Sequence, residues 1–314
     1  RNTYSNQTWR MLGSGSGGTS HYMTIGGTNF GYTASPDQRI TSYDYGSPIG
    51  ELGQLRQGLF MVKQVGWLAR GFNSLYATST NGSAEVSGMP TTLASYAHTS
   101  SAGKAAMVSG GSGTFQINWK NKGVTVPTTG SWSLASGYGA HLLADVPLTT
   151  NVTLDYSATG ILGQKKMGTK NYVVLYGTPG NAAGDIAFVY KTAPTTAPSS
   201  PWSWNATAKR ASLRFNYPTT DTVNEVVLDD GAGQTINLLI MSESMSDRTW
   251  FTDSSIVSGA YYVDEFENLQ FPAAGGRAYV YSKSAMQMVR QGAVTAPGSK
   301  SFASGWSWIS SPEV

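Results

Sequence analysis

The stretch V-T-L-D-Y-S at residues 152–157 carries the pattern that decides the fold class. Val152, Leu154 and Tyr156 are apolar or aromatic, and a polar residue separates each of them from the next. Successive side chains of a β-strand point to opposite faces of the sheet. This period of two therefore predicts a strand with one buried face.

Short β-rich runs of the same kind recur from about residue 76 onward. Turn clusters such as G-T-P-G-N at 177–181 separate them. The predicted strands cover residues 114–119, 172–176, 186–190, 213–217, 223–228, 235–241 and 278–281. Many short strands without interleaved helices predict a mostly β fold with an antiparallel β-sandwich domain.

The composition is typical of a β-rich protein of extracellular type. Charged residues make up only 12% of the 314 residues, against about a quarter in typical soluble domains. The 21 basic and 18 acidic residues give a net charge of +3 without a run of like charges, so no nucleic-acid partner and no anionic membrane surface is predicted. The chain has no cysteine, which excludes a disulfide framework, a thiolate nucleophile and a cysteine zinc site.

The sequence also bears on localisation. No apolar stretch reaches the roughly 18 to 20 residues that a membrane-spanning helix needs. The first residue is Arg1, and no signal-peptide pattern follows it, so we expect any signal peptide to lie upstream. We expect an internal piece of a secreted or extracellular protein, with a periplasmic location as the alternative.

Residues 51–70 have the clearest helical period. Apolar residues recur at spacings of three and four from Leu52 to Val65, which predicts an amphipathic helix that ends at Gly71. A weaker pattern predicts a second helix at 4–12.

Two glycine-rich stretches have the spacing of phosphate-binding loops. G-S-G-S-G-G at 13–18 fits the dinucleotide fingerprint, but a predicted helix precedes it and a predicted strand at 22–25 follows, which is the reverse of the required order. G-G-T-N-F-G at 26–31 has the P-loop spacing, but Tyr32 stands where a lysine is needed. Neither stretch predicts nucleotide binding, and no cofactor is expected.

The predicted strand at 22–25 turns at Gly26 and Gly27 into a tyrosine-rich loop, which leads to the predicted helix. Strand, loop and helix together form one βα unit of an α/β barrel. The functional groups of such barrels lie at strand ends and in the loops that follow.

These residues resemble the β-galactosidases of glycoside hydrolase family 35. The resemblance rests on Tyr22-Met23, G-G-T-N-F-G at 26–31, T-S-Y-D-Y at 41–45 and Pro48-Ile49, in this order and spacing. About the first 70 residues match specifically, and shorter patches continue the resemblance at 154–157, 165–166, 173–180 and 308–314.

The resemblance implies four segments. Residues 1–72 would be the C-terminal part of a TIM (β/α)8 catalytic barrel, and residues 73–258 an antiparallel β-sandwich second domain. Residues 259–303 would be a short β third domain or connector, and residues 304–314 the start of a jelly-roll domain.

The resemblance also implies an activity: a retaining exo-β-galactosidase that hydrolyses terminal non-reducing β-D-galactose residues from oligo- or polysaccharides. Such an enzyme uses one glutamate as acid/base and another as nucleophile, with carboxyl groups about 5 to 5.5 Å apart. The family carries both upstream of the residue that matches Tyr22. We therefore expect both to be missing from this chain, and expect the chain alone to be inactive without the missing N- and C-terminal domains of the same polypeptide.

By the same resemblance, Tyr22 and Tyr45 bind the substrate. Tyr22 matches a tyrosine beside the nucleophile, and Tyr45 matches one that reaches a galactose hydroxyl. A phenol suits both roles, because its hydroxyl donates to a carboxylate or sugar oxygen while its ring packs against the wall of the site. The implied scaffold for the two tyrosines, with a tight turn at the glycines, consists of Gly26, Gly27, Thr28, Asn29, Tyr43 and Asp44.

Other residue groups leave alternatives open. The Trp-Ser-Trp triplets at 202–204 and 306–308 suit either core packing or a sugar-stacking platform. The acidic group at 264–267 predicts a solvated loop in preference to a calcium site, and the three histidines lack metal-ligand spacing, so no metal site is predicted. The rival function is that of a non-catalytic carbohydrate-binding or cell-surface β-sandwich protein.

Overall fold

The computed structural model describes residues 2–29, 42–271, 276–290, 300–301 and 307–308, and these are mostly β. Its helices are α1 (Asn2–Gly13), α2 (Gln57–Gly71), α3 (Asn73–Ala77) and α4 (Glu243–Asp247). None of the helices in the described part of the chain combines the length and apolar character needed to cross a bilayer.

The strands are short and are numbered in chain order. The first nineteen are β1 (Gly27–Thr28), β2 (Ser42–Tyr43), β3 (Thr80–Asn81), β4 (Val86–Ser87), β5 (Ala94–Ser100), β6 (Gly103–Ser109), β7 (Gly113–Phe115), β8 (Ile117–Trp119), β9 (Val124–Val126), β10 (Trp132–Leu134), β11 (Gly139–Pro147), β12 (Val152–Ala158), β13 (Gly160–Met167), β14 (Lys170–Tyr176), β15 (Ala183–Tyr190), β16 (Ser203–Asn205), β17 (Arg210–Asn216), β18 (Val223–Asp229) and β19 (Thr235–Met241). The others are β20 (Thr249–Phe251), β21 (Ile256–Ser258), β22 (Tyr262–Val263), β23 (Leu269–Gln270), β24 (Arg277–Tyr281), β25 (Gln287–Arg290), β26 (Lys300–Ser301) and β27 (Ser307–Trp308).

Helix α2 begins at Gln57, six residues after the predicted start at 51. A turn occupies the intervening residues, because the amide of Gly53 donates to the carbonyl of Gly50 (2.8 Å) and Gly53 has a φ of 85°. Leu52, which fits the helical period, is 80% exposed in this turn. Gly71 is the last helical residue, and a Cβ there would lie 2.7 Å from the backbone nitrogen of Gln164. Glycine is therefore required by the close approach of α2 to β13.

The predicted strand at 22–25 is not formed. Tyr22 and Met23 lie in a turn, and Ile25 makes a single parallel bridge to Ile49. A parallel barrel strand is stabilised by hydrogen bonds to neighbouring strands on both sides, and this bridge is the one contact of that kind recorded for Ile25 among the described residues. The barrel unit stays a prediction.

Two large sheets form the centre of the chain. One has eight strands in the order β16-β17-β15-β12-β11-β6-β5-β3, and the other has four in the order β13-β14-β19-β18. The prediction of a wholly antiparallel arrangement is wrong for β14 and β19, which pair in parallel from Lys170 and Thr235 to Tyr176 and Met241. A parallel pair needs a long crossover, and here β15 to β18 lie within it.

The two large sheets share one hydrophobic core, to which Phe188 of β15 and Leu238 of β19 both contribute. A second core covers the opposite face of the eight-stranded sheet. In β12, Leu154 belongs to the first core and Tyr156 to the second, because the register shifts between them at Asp155. The strand that alternation predicts to be half-buried is thus buried on both faces.

Contacts divide the chain into two compact units, Arg1–Glu243 and Ser244–Val314. The second contains the four-stranded sheet β20-β21-β24-β25 and a small core that includes Val257 and Ala278. The domain bounds 1–72, 73–258, 259–303 and 304–314 remain predictions.

Candidate active site

The structure brings the two predicted substrate-binding tyrosines together through a third. The hydroxyls of Tyr22 and Tyr43 hydrogen bond to each other, and the rings of Tyr43 and Tyr45 meet edge to face with their centroids 4.9 Å apart. Tyr22 is 77% exposed and Tyr45 is 61% exposed. The cluster, Tyr22, Tyr43 and Tyr45, is therefore open to a ligand from solvent.

A short antiparallel ladder holds the two segments that carry the tyrosines. Gly27 pairs with Tyr43 and Thr28 pairs with Ser42. Asn29 follows this ladder directly and is half-buried. Pairing β1 with β2 places the turn at Tyr22 beside the turn at Tyr45, although about twenty residues separate them in sequence.

Tyr45 projects from a tight turn between Asp44 and Ser47. The amide of Ser47 donates to the carbonyl of Asp44 over 2.9 Å. Tyr45 and Gly46 have φ values of 49° and 69°, and positive φ at both central residues is the mark of a type I′ turn. We call Asp44–Ser47 the tyrosine turn.

Asp44 is the acceptor that holds the tyrosine turn in place. Both of its carboxylate oxygens accept hydrogen bonds from the guanidinium of Arg56, one from Nη1 and one from Nη2 at 2.7 Å. The amide of Glu51 and the hydroxyl of Ser47 also donate to it, at 3.3 and 3.2 Å. The hydrogen bonds from Arg56 hold the pKa of the Asp44 carboxyl well below its usual range, and Asp44 in turn raises the pKa of Arg56. Asp44 is accordingly ionised at any physiological pH.

The two scaffold glycines differ in what surrounds them. A Cβ at Gly26 would lie 3.0 Å from the Asp44 carboxyl carbon, the Ser47 hydroxyl and the Glu51 amide nitrogen. A Cβ at Gly27 would meet nothing within 4 Å. Neither glycine is among the residues with positive φ, so Gly26 serves to let Asp44 pack closely, while the tight turn lies at Tyr45 and Gly46.

The phenol hydroxyls of the cluster can donate hydrogen bonds. The hydrogen bond from Tyr22 raises the pKa of Tyr43 above its ordinary value, and burial adds to the effect. The two carboxylates of this region are both engaged, Asp44 by Arg56 and Glu51 by the hydroxyl of Ser42 at 2.6 Å. These described residues can bind and orient a polyol, since they offer hydroxyl donors and aromatic edges.

The other groups singled out in the sequence have structural partners. Trp202 meets Phe188 edge to face and Trp204 meets Tyr190 in the same way, with centroids 5.7 and 5.4 Å apart. The first Trp-Ser-Trp triplet therefore packs into the core, and residue 306 of the second lies outside the described residues. Asp264 accepts hydrogen bonds from the amides of Phe266 and Asn268 in its own loop.

The histidines are also structural where their partners are described. His98 contacts the carbonyl of Gly13 through Nε2 at 2.8 Å, and His141 stacks on Trp9. Within the described residues there is no group of three or more His, Cys, Asp or Glu side chains placed to hold a metal ion.

Sequence reasoning missed Arg56 and Ser47. A signal for Arg56 is present, because a cation at the N-terminal end of a helix opposes the helix dipole. Arg56 caps the N-terminus of α2 with no side-chain bond to the helix itself. Such a residue needs an anion nearby, and Asp44 is that anion.

Comparisons with known proteins match both parts of the chain. The family model described as "Glycosyl hydrolases family 35" matches residues 1–67, and the one described as "Beta-galactosidase, domain 2" matches residues 77–245. "Probable beta-galactosidase C" of Aspergillus flavus is 44% identical over 61 residues, which is 19% of this chain and 6% of that protein. "Probable beta-galactosidase C" of Aspergillus niger is 29% identical over 181 residues, or 54% of this chain and 17% of that protein.

A relative from outside the fungi matches a stretch of similar length. "Probable beta-galactosidase 2" of Dictyostelium discoideum is 42% identical over 59 residues, which is 19% of this chain and 8% of that protein. The chain thus spans less than a fifth of the length of the curated relatives it matches.

Proposed function

Because the chain belongs to the β-galactosidases of glycosyl hydrolase family 35, we propose that it is part of a retaining exo-β-galactosidase. The enzyme would remove terminal non-reducing β-D-galactose from oligo- or polysaccharides outside the cell. The observation that carries the proposal is the exposed tyrosine cluster within the residues that match the first family model.

In this proposal the chain supplies binding groups and the rest of the polypeptide supplies the acid/base and nucleophile glutamates. Retention needs two carboxyl groups about 5 to 5.5 Å apart, with one free to attack the sugar and one free to exchange a proton. Asp44 does not suit either role, because Arg56 holds it ionised and occupied. As the resemblance to the family implies, the catalytic carboxylates would come from barrel strands upstream, and the chain alone would be inactive.

The tyrosines would act as hydrogen-bond donors at the galactose. Tyr45 would donate to a galactose hydroxyl, and Tyr22 would donate to the nucleophile carboxylate or the adjacent sugar oxygen. Tyr43 would hold Tyr22 through its hydroxyl and Tyr45 through its ring. Such positioning lowers the barrier because the sugar is already oriented when the carboxylates react.

The test uses the full-length polypeptide and an aryl β-galactoside. We expect Tyr45→Phe to lower kcat/KM by a factor that corresponds to about 0.5 to 1.5 kcal/mol, the worth of one hydrogen bond. Tyr262→Phe, at an exposed tyrosine of the other unit, is the matched control and should leave kcat/KM unchanged. Equal kinetics for Tyr45→Phe and the wild type would remove Tyr45 from the site, and equal cleavage of aryl β-glucosides would contradict the substrate.

A second candidate is carbohydrate binding without catalysis. It is favoured by a cleft of about 730 Å³ between residues 194–202 and β18, whose lining includes Trp202, Glu225 and Asp229. The carboxylates of Glu225 and Asp229 can accept hydrogen bonds from sugar hydroxyls there. If this candidate holds, oligosaccharide binding to the chain should weaken in Asp229→Asn and should not change in Tyr45→Phe.

A further inference from the structure

We propose that Arg56 is a positioning residue that fixes the tyrosine turn, and with it the hydroxyl of Tyr45, for sugar binding. This inference rests on the proposed function. It concerns a residue that never needs to touch the sugar, because it acts through Asp44.

The guanidinium of Arg56 forms hydrogen bonds to both ends of the tyrosine turn. It binds the two carboxylate oxygens of Asp44, and its Nη1 also donates to the carbonyl of Ser47 at 3.1 Å. Tyr45 and Gly46 lie between these two contacts. Because one planar group bonds the residue before and the residue after them, it fixes the direction in which Tyr45 projects.

The turn needs this support because its backbone conformation is unfavourable. A φ of 49° at Tyr45 places a residue with a Cβ in the left-handed region, where the Cβ approaches the following carbonyl oxygen. Such conformations persist when the surrounding contacts determine them, and they cluster at ligand sites. Arg56 supplies such contacts at both ends of the turn, to Asp44 and to Ser47.

Arg56 also connects the turn to a rigid element. Its own amide donates to the carbonyl of Pro48 at 2.9 Å, and it directly precedes α2. Helix α2 is anchored by Val65 and Leu68 in the core shared by the two large sheets. A site residue held by a well-packed element is more precisely placed than one on an unsupported loop.

A glycine leaves room for this contact. A Cβ at Gly50 would lie 2.9 Å from Nη2 of Arg56 and would also meet Oε1 of Gln54. Alanine at position 50 would therefore displace the guanidinium without changing any charge. Gly50 thus offers an independent way to loosen the same contact.

The first experiment measures kcat and KM of the full-length polypeptide on an aryl β-galactoside. We expect Arg56→Gln to lower kcat/KM about tenfold, mainly through a higher KM, because a misplaced contact group weakens sugar binding. Arg56→Lys keeps the charge but not the planar fork, so it should recover only part of the loss. Arg70→Gln, on the same helix and exposed beside Trp67, is the matched control and should behave as the wild type.

The decisive comparison is a double-mutant cycle with Tyr45→Phe. If Arg56 acts through the Tyr45 hydroxyl, adding Arg56→Gln to the Tyr45→Phe enzyme should lower kcat/KM only slightly further. Losses that add in full, or an Arg56→Gln enzyme with wild-type kinetics, would overturn the proposal. If Arg56→Gln does not fold, Gly50→Ala takes its place in the same cycle with the same two outcomes.

A second readout separates this proposal from the proposed function. The amides of Ser47 and Glu51 both donate to Asp44, so their hydrogen exchange reports whether the turn is held. We expect exchange about tenfold faster in Arg56→Gln, with Leu175 of β14 unchanged. Faster exchange in an enzyme that never cleaves β-galactosides would reject the function alone, and unchanged exchange would reject the role of Arg56.

Discussion

At the scale of single residues, the candidate site depends on contacts that each need one residue type. Tyr43 needs both its hydroxyl, for Tyr22, and its ring, for Tyr45. Gly26 needs the absence of a Cβ, because Asp44 packs directly against it. These requirements explain why a short motif of ordinary residues has so specific an order.

Replacing Gly26 by alanine should loosen the tyrosine turn. The added methyl would lie 3.0 Å from the backbone nitrogen of Glu51, and overpacking against backbone costs about 1 to 3 kcal/mol. Amide hydrogen exchange of Ser47 measures this loss as a lower local free energy of opening. Gly27→Ala is the matched control, since its methyl would enter open space and should change the value by less than about 0.5 kcal/mol. Equal exchange rates in the two variants would contradict the packing explanation.

Sequence reasoning reached some of these residues and not others, for a physical reason. The tyrosines at 22 and 45 belong to a local motif, and the resemblance of that motif to the family implied that they act together. The hydrogen bonds between Asp44 and Arg56 depend on the turn that separates these residues. The hydrophobic pattern predicts helix there instead, because Leu52 fits the helical period although it is exposed. A contact that depends on a turn cannot be predicted while the turn is taken for a helix.

At the scale of elements, helix α1 is attached to the eight-stranded sheet through two histidines. Trp9 stacks on His141 with ring centroids 5.2 Å apart, and Gly139 leaves the space that the indole occupies. The last residue of the helix, Gly13, is bonded by its carbonyl to His98, whose other ring nitrogen lies 3.0 Å from the Ser79 hydroxyl. Both imidazoles are thus placed in the contact between helix and sheet.

This attachment should weaken in acid. Burial lowers the pKa of His141 to about 3 and also lowers that of His98, whereas an unfolded histidine titrates near about 6.5. The folded state therefore binds fewer protons than the unfolded state below pH ~6.5, and its stability falls as the pH drops from there toward 3. At pH 5 the loss from His141 should be about 1 to 2 kcal/mol.

His141→Phe tests this pH dependence, because phenylalanine retains a ring for Trp9 and cannot be protonated. Chemical unfolding of the chain at pH 7 and pH 5 should show a smaller difference in free energy for the variant than for the wild type. A full pH effect in His141→Phe would show that other groups cause it.

The strands illustrate what alternation can and cannot predict. The predicted runs from residue 114 onward all overlap observed strands, because apolar alternation reports local burial, whereas the predicted strand at 22–25 is not formed. The parallel pairing of β14 with β19 and the register shift at Asp155 were not predictable in this way, since they depend on which strands become neighbours. Asp155 itself is informative in hindsight, because a carboxylate within a buried strand needs a partner.

At the scale of the whole molecule, a chain with few charges concentrates several of them in one partly buried network. Asp155, with a side chain only 3% exposed, pairs with Lys122 at 2.6 Å and with Arg210 at 2.7 Å. Lys122 also forms an ion pair with Asp145 at 2.5 Å, and Lys104 forms one with Asp145 at 3.1 Å. The network therefore ties β6, β11, β12 and β17 of the eight-stranded sheet to the turn between β8 and β9.

Lys122 is the central residue of this network, because it lies on that turn and forms ion pairs with two carboxylates. Burial lowers its pKa, but Asp145 and Asp155 raise it by more, so the pKa of Lys122 is above its ordinary value and the side chain stays charged at neutral pH. Lys122→Met keeps the length of the side chain but removes its charge. Asp155 then retains its ion pair with Arg210, and Asp145 retains its ion pair with Lys104. Breaking a fully buried pair costs about 3 to 5 kcal/mol, and the remaining partners reduce this to about 1 to 3 kcal/mol.

The expected loss is in the free energy of unfolding of the unit Arg1–Glu243, measured by urea unfolding with tryptophan fluorescence at pH 7. Lys120→Met, at an exposed lysine two positions away, is the matched control and should stay within about 0.5 kcal/mol of the wild type. The effect should shrink in acid, because Lys122 and Lys104 together lower the pKa of Asp145 below its ordinary value against the opposing effect of burial. The stability that Asp145 contributes is present above its unfolded pKa of about 3.9 and is lost as the pH falls through its lower folded pKa. A loss in Lys122→Met no larger than in Lys120→Met would mean that hydrophobic packing alone holds the β8–β9 turn on the sheet.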